Sequence, residues 1–235
     1  MPLVFAQSFD IESTGSDMPG GKDALFAIGA AVLSIDTDSG AIERVDSRRW
    51  VLSLAPPDSS ADTWAALWRS HGYDMRCFEE FWSKHLGVLN AMMAMTADLF
   101  SSSKAMADSF AAYIAESEAK FQPQIRVYDT IGFDVTNLEA LLVEHGHRSL
   151  FLTTQGRPCS PSYLGDIMRS ALGISPLHRA LGLNDAQKEA IARHNAAAVP
   201  AGLAHTHDPA DDALCIAYKW AHYALKLHFK PVTAV

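Results

Sequence analysis

The chain has 235 residues, 49% of them hydrophobic and 20% charged, with 14 Gly and 11 Pro; this suits one globular domain and excludes a collagen-like or wholly disordered chain. Acidic residues (27) outnumber basic ones (19) for a formal charge of −8, which argues against a protein that grips duplex nucleic acid by broad electrostatic contact. The longest apolar run, residues 24–33, falls short of the ~18 residues a membrane helix needs. No basic lead opens the chain and an acid arrives by Asp10, so no secretion signal is read. Cys77, Cys159 and Cys215 cannot all pair and show no C-x-x-C spacing. That excludes a zinc ribbon or disulfide scaffold and points to a reducing, intracellular and in particular cytoplasmic setting.

In chain order, residues 3–10 are apolar and end in a carboxylate, as a strand would. Residues 24–35 are apolar on both parities, which predicts a strand buried on both faces. Turn residues at 36–40 lead to a third strand over 41–52, so the opening reads as an antiparallel meander. Residues 53–98 begin with a Pro56-Pro57 break and carry Trp64, Trp68, Phe78, Phe81 and Trp82 on short helices. These aromatics read as local core, or alternatively as a partner surface or stacking platform for single-stranded bases. Helices follow over 98–121 and 135–146, the latter from Leu138, Leu141 and Leu142 at i, i+3 and i+4. Strands are expected at 125–129 and 150–153, and a further helix at 161–172. Asp208 as N-cap and Pro209 at the first helical position open a last helix, whose Leu214, Ala217, Tyr218, Ala221 and Leu225 stripe runs to about Phe229. Strands first in a meander and then alternating with helices define an α/β domain with a mixed central sheet flanked by helices. No internal repeat or linker divides it, so residues 1–235 read as one domain.

Three acidic groups stand out. Asp10 and Glu12 are two apart at a strand end, so both carboxylates project from one face, where hard divalent cations such as Mg²⁺ find oxygen ligands. Asp134 stands at a helix start, a position where an aspartate commonly serves as N-cap. His207 and Asp212 flank the mouth of the last helix, where a histidine and a carboxylate can face a common point; Asp211 beside Asp212 suits the helix dipole. His145, His147 and His194 read as surface residues, and Met92, Met93 and Met95 as packing. No phosphate-binding glycine loop is present, so a nucleotide cofactor is not indicated.

Taken together, FDIESTG, YDTIGFD and HDPADDA, in that order, resemble the motifs of the DEDD superfamily of 3′–5′ exonucleases, and the H-x-x-x-x-D spacing from His207 to Asp212 resembles its DEDDh (DnaQ-like, RNase T-like) subgroup. Residues 27–32 look like that family's second strand, with its Ile-Gly-Ala-type triplet. The resemblance implies a ribonuclease H-like fold and hydrolysis of phosphodiester bonds from a free 3′-hydroxyl by two Mg²⁺, with Mn²⁺ as substitute. It carries Asp10, Glu12, Asp134 and Asp212 over as metal ligands, with Asp10 bridging. His207 becomes the general base, and Ser13, Thr14 and Gly15 fall where the terminal nucleotide is held. Nucleoside 5′-monophosphate would be the product, and a single-stranded or short nucleic-acid end the partner, without a membrane and with a homodimer as an option. Thr130 stands where relatives often have Asn, and residues 53–98 read as an insertion or an extended loop and helical segment within the domain. Two alternatives remain open: a zinc hydrolase built on the H-x-H pair His205 and His207, and an exonuclease-like fold kept as an interaction module.

Overall fold

A computed structural model of the protein describes residues 3–15, 24–129, 133–153, 161–174 and 182–228. Strands β1 (Leu3–Ser13), β2 (Leu25–Asp36) and β3 (Ile42–Leu52) form the expected antiparallel meander. The turn between β2 and β3 closes as its composition demands: the Asp36 carboxylate accepts the Asp38 and Ser39 N–H groups, and Gly40 takes a positive φ of 74°. A short β4 (Leu99–Phe100) runs parallel to the end of β3. On the other side β5 (Ile125–Tyr128) pairs in parallel with β1, and β6 (Pro161–Tyr163) with β5. The six-stranded mixed sheet has the order β4-β3-β2-β1-β5-β6.

Helices cover both faces. Residues 53–98 contribute α1 (Ala61–His71), α2 (Met75–Glu80) and α3 (Leu86–Ala94). These are followed by α4 (Ser103–Phe121), α5 (Asp134–Glu144), α6 (Leu164–Ala171), α7 (Asp185–Ala198) and α8 (Pro209–His228). Alternation along β1 decides which core each side chain joins. Phe9 and Ile11 enter a core with Phe110 of α4, Leu138 of α5 and the tryptophans of residues 53–98. Ala6 faces the opposite way, into a core with Leu33, Ile35 and the Ala213, Ala217 and Ala221 stripe of α8. The next residues on that second face are Ser8, whose hydroxyl donates to the Ala213 carbonyl at 2.6 Å, then Asp10 and Glu12. One face of one strand thus grades from hydrocarbon to carboxylate along α8.

The expected strand at 150–153 is a turn ending in an isolated bridge; β6 lies at Pro161–Tyr163 instead. Its partner β5 offers a free edge there, so residues 161–163 pair as a strand and the helix expected from 161 starts at Leu164. The helix expected from 98 starts at Ser103, because Leu99 and Phe100 join the sheet and the Ser102 hydroxyl caps the Ala105 N–H. Helix α7 lacks an apolar stripe, so no periodicity in the sequence marks it. Phe229, Thr130 and Cys159 lie outside the described residues. Trp64, Trp68, Phe78 and Trp82 are buried core, as are Met92 and Met93, whereas Phe81 is half-buried. His145 and His147 are half-buried and hydrogen-bonded to Ser103 and Asp108 of α4.

Candidate active site

The carboxylates of Asp10, Glu12 and Asp212 offer ligand atoms that all lie within 4.8 Å of one another. Two elements from opposite ends of the sequence meet to make this cluster, and a glycine permits it. Gly29 of β2 pairs with Asp10, and a Cβ at Gly29 would stand 1.7 Å from the Pro209 carbonyl oxygen. The first turn of α8 therefore lies directly on the β2 backbone, next to Asp10.

That helix is started by Asp208, whose Oδ1 accepts the Ala210 N–H at 3.1 Å and the Asp211 N–H at 3.4 Å. Arg49 of β3 holds the other oxygen of the same carboxylate. Asp212, fully buried, turns back on the preceding loop: it accepts the Thr206 N–H at 2.8 Å, the His207 N–H at 3.0 Å and His205 Nδ1 at 2.9 Å. His207 sits at φ 62°, an uncommon conformation for a residue with a side chain, and its N–H bond to Asp212 fixes it there. Its Nδ1 is 3.7 Å from Glu12 Oε1, and its ring is walled by Phe81 and His85, each 4.6 Å away between centroids.

Asp134 is the first residue of α5 and is buried; Phe133 occupies the cap position, so Asp134 is not the N-cap its sequence context allows. It stays outside the three-carboxylate group, but its charge reaches Asp10. Burial pushes the Asp10 carboxyl well above the usual carboxylate range, and Glu12, Asp134, Asp212 and Asp129 push the same way. Burial likewise lifts Glu12 to about 7, with the His207 ring opposing. A buried set of mutually repelling oxygen donors fits hard divalent cations, which would relieve that repulsion. Asp211 is half-exposed and belongs to neither candidate ligand group among the described residues.

The loop after β1 is gripped by the segment 53–98. Trp82 Nε1 donates to the Ser13 carbonyl at 3.0 Å and Trp68 Nε1 to the Thr14 carbonyl at 3.1 Å. Thr14 itself is buried, its hydroxyl accepting the Ala24 N–H. Ser13 and Gly15 instead line a cavity of about 230 Å³ with Glu12, Cys77, Phe81, Trp82 and Phe133. His85, Cys77, Phe133 and the Arg49–Asp208 pair also join this region. Only the aromatic density near residue 81 hinted at them, since no short-range spacing links these positions.

No protein-family model matches the chain. No curated protein is similar to it in sequence. Among solved structures, it is similar to the zinc-bound form of an Escherichia coli exonuclease I complex with single-stranded DNA, at 14% identity and a TM-score of 0.51 over 96% of this chain. A second exonuclease I structure, described for how processivity is achieved, matches at 14% identity and a TM-score of 0.49 over 97%. The chain spans 41% of the length of each of those proteins. The likeness to the DNA complex shows the fold: this chain has the α/β, ribonuclease H-like architecture, a mixed six-stranded sheet flanked by helices.

Proposed function

We propose that the chain is a metal-dependent 3′–5′ exonuclease that removes nucleoside 5′-monophosphates from a free 3′-hydroxyl end. The observation that carries this reading is the convergence of Asp10, Glu12 and Asp212 at the end of β1, with His207 beside Glu12. Asp10, Glu12 and Asp212 would hold Mg²⁺, or Mn²⁺ in its place, and Asp134 would hold a second ion. When bound, such ions would neutralise the phosphate and stabilise the entering and leaving oxygens.

The chain's own groups do the remaining work. His207 takes the proton of the attacking water on a ring nitrogen, its Nδ1 lying 3.7 Å from Glu12 Oε1. The wall of Phe81 and His85 keeps that ring facing the carboxylates. Phe81 and Phe133, in the cavity with Ser13 and Gly15, give the terminal base an aromatic seat. That space suits one unpaired nucleotide, in keeping with the single-stranded DNA held by the exonuclease I neighbour.

The test is digestion of 3′-labelled and 5′-labelled single- and double-stranded RNA and DNA with Mg²⁺, Mn²⁺ or EDTA. Stepwise shortening from the 3′ end of single strands, abolished by EDTA, is expected. Equal hydrolysis in EDTA, or of circular or 3′-phosphorylated strands, would overturn the proposal.

A further inference from the structure

We infer that the loop before α8 carries a second cation site of a different chemical class, in which His205, His207 and Asp212 bind a zinc-type ion that shuts the site down. The side chains of these residues offer ligand atoms that all lie within 4.8 Å of one another. Asp212 belongs both to this group and to the oxygen-only group with Asp10 and Glu12. The donor sets differ in kind: carboxylate oxygens suit Mg²⁺, whereas two imidazole nitrogens and one carboxylate suit Zn²⁺, with water in an open fourth position.

The geometry is nearly assembled. His205 Nδ1 is already 2.9 Å from Asp212 Oδ2, and the His205 and His207 rings meet edge to face at 4.5 Å. The His205 side chain is 56% exposed, so it can adjust without disturbing the core. The N–H groups of Thr206 and His207 orient the Asp212 carboxylate, the kind of outer support that ligating carboxylates commonly have. Ligation through His205 Nδ1 replaces its hydrogen bond to Asp212, and the displaced proton leaves to solvent. A bound ion would occupy Asp212 and His207 together, so hard-cation binding and proton transfer would be lost in one step. The inhibitory half of this inference rests on the exonuclease reading; the binding half does not.

The experiment titrates EDTA-stripped protein with ZnCl₂ by calorimetry, and with Co²⁺ by visible absorption. One equivalent should bind, with the intense bands of a four-coordinate cobalt site. His205→Asn removes a direct ligand and should weaken binding by at least the ~10–100-fold that losing an outer partner costs. His205→Cys should restore it and add sulfur-to-cobalt charge transfer, which a merely structural role for position 205 would not produce. Asp10→Asn should leave zinc binding intact. Zinc should also inhibit Mg²⁺-dependent hydrolysis, and His205→Asn should require ~10-fold more zinc relative to its own uninhibited rate. Zinc binding that survives His205→Asn but is lost in Asp10→Asn, or no stoichiometric binding, overturns the site. Binding that follows His205 while hydrolysis ignores zinc overturns the inhibition. A protein without nuclease activity that still binds zinc through His205 would fail the exonuclease reading and leave the site standing.

Discussion

The carbonyl oxygen of Pro209 fills the space a side chain on Gly29 would need; a Cβ there would stand 1.7 Å from that oxygen and 2.0 Å from its carbon. Backbone on backbone is the closest approach a helix can make to a sheet, and here it sets Asp212 beside Asp10. Gly29→Ala must push the start of α8 outward. We expect a loss of ~1–3 kcal/mol in stability, the range for overpacking a tight contact. Activity should fall by far more than that stability loss implies, because Asp212 leaves the cluster. Denaturant unfolding alongside initial rates checks both, and a fully active Gly29→Ala would refute the placement.

Asp10→Asn should abolish hydrolysis while leaving the metal-free protein folded and no less stable, since it relieves the repulsion Asp10 meets from Glu12, Asp134, Asp212 and Asp129. Thermal melts make a second check. Mg²⁺ should raise the melting temperature of the parent protein and do little for Asp10→Asn.

The metal-free protein should show a pH signature with a definite sign. Burial raises the Glu12 carboxyl from 4.5 to about 7, so the folded chain holds this proton more tightly than the unfolded chain does. Its favourable contribution is complete below the unfolded value and disappears as pH rises through about 7. Glu12→Gln should therefore gain on the parent between about pH 5 and about pH 8 in EDTA, as read by unfolding free energies. An advantage that shrinks with pH would contradict the assignment.

Asp212 and Asp211 separate cleanly by burial and reach. Asp212→Ala and His207→Ala should each lower kcat by ~10²-fold or more, as for a lost metal ligand or general base. Asp211→Ala should cost little. Asp212 also holds the His207 N–H, so the double variant should fall well short of the product of the two single effects.

Trp68→Phe and Trp82→Phe remove the indole N–H groups that hold the Thr14 and Ser13 carbonyls. Each lost hydrogen bond is worth about 0.5–1.5 kcal/mol, so KM should rise ~2–12-fold with a smaller change in kcat. A kcat loss with KM unchanged would place these tryptophans in the chemistry rather than in positioning.

Much of this was legible in the sequence because it is local. Alternation placed Asp10 and Glu12 on one face, and Asp208-Pro209 marked the start of α8. What escaped was set by distance along the chain. Nothing near Trp68 or Trp82 says that their N–H groups reach back to residues 13 and 14. Likewise, spacing alone leaves His205 a bystander, and only the fold of the loop turns its Nδ1 onto Asp212. The strand expected at 150–153 failed for a related reason: an apolar run predicts burial, and which segment pairs with β5 is decided by the sheet edge.

The docking of α8 on Gly29 also sets an order of events during synthesis. A chain emerging from the ribosome can pair β1, β2 and β3 early, because these strands are neighbours in sequence and in space. At that stage Asp10 and Glu12 lack both Asp212 and His207. The cluster forms only when α8 seats against β2, so a product cut before α8 would lack the assembled site on which the proposed activity depends.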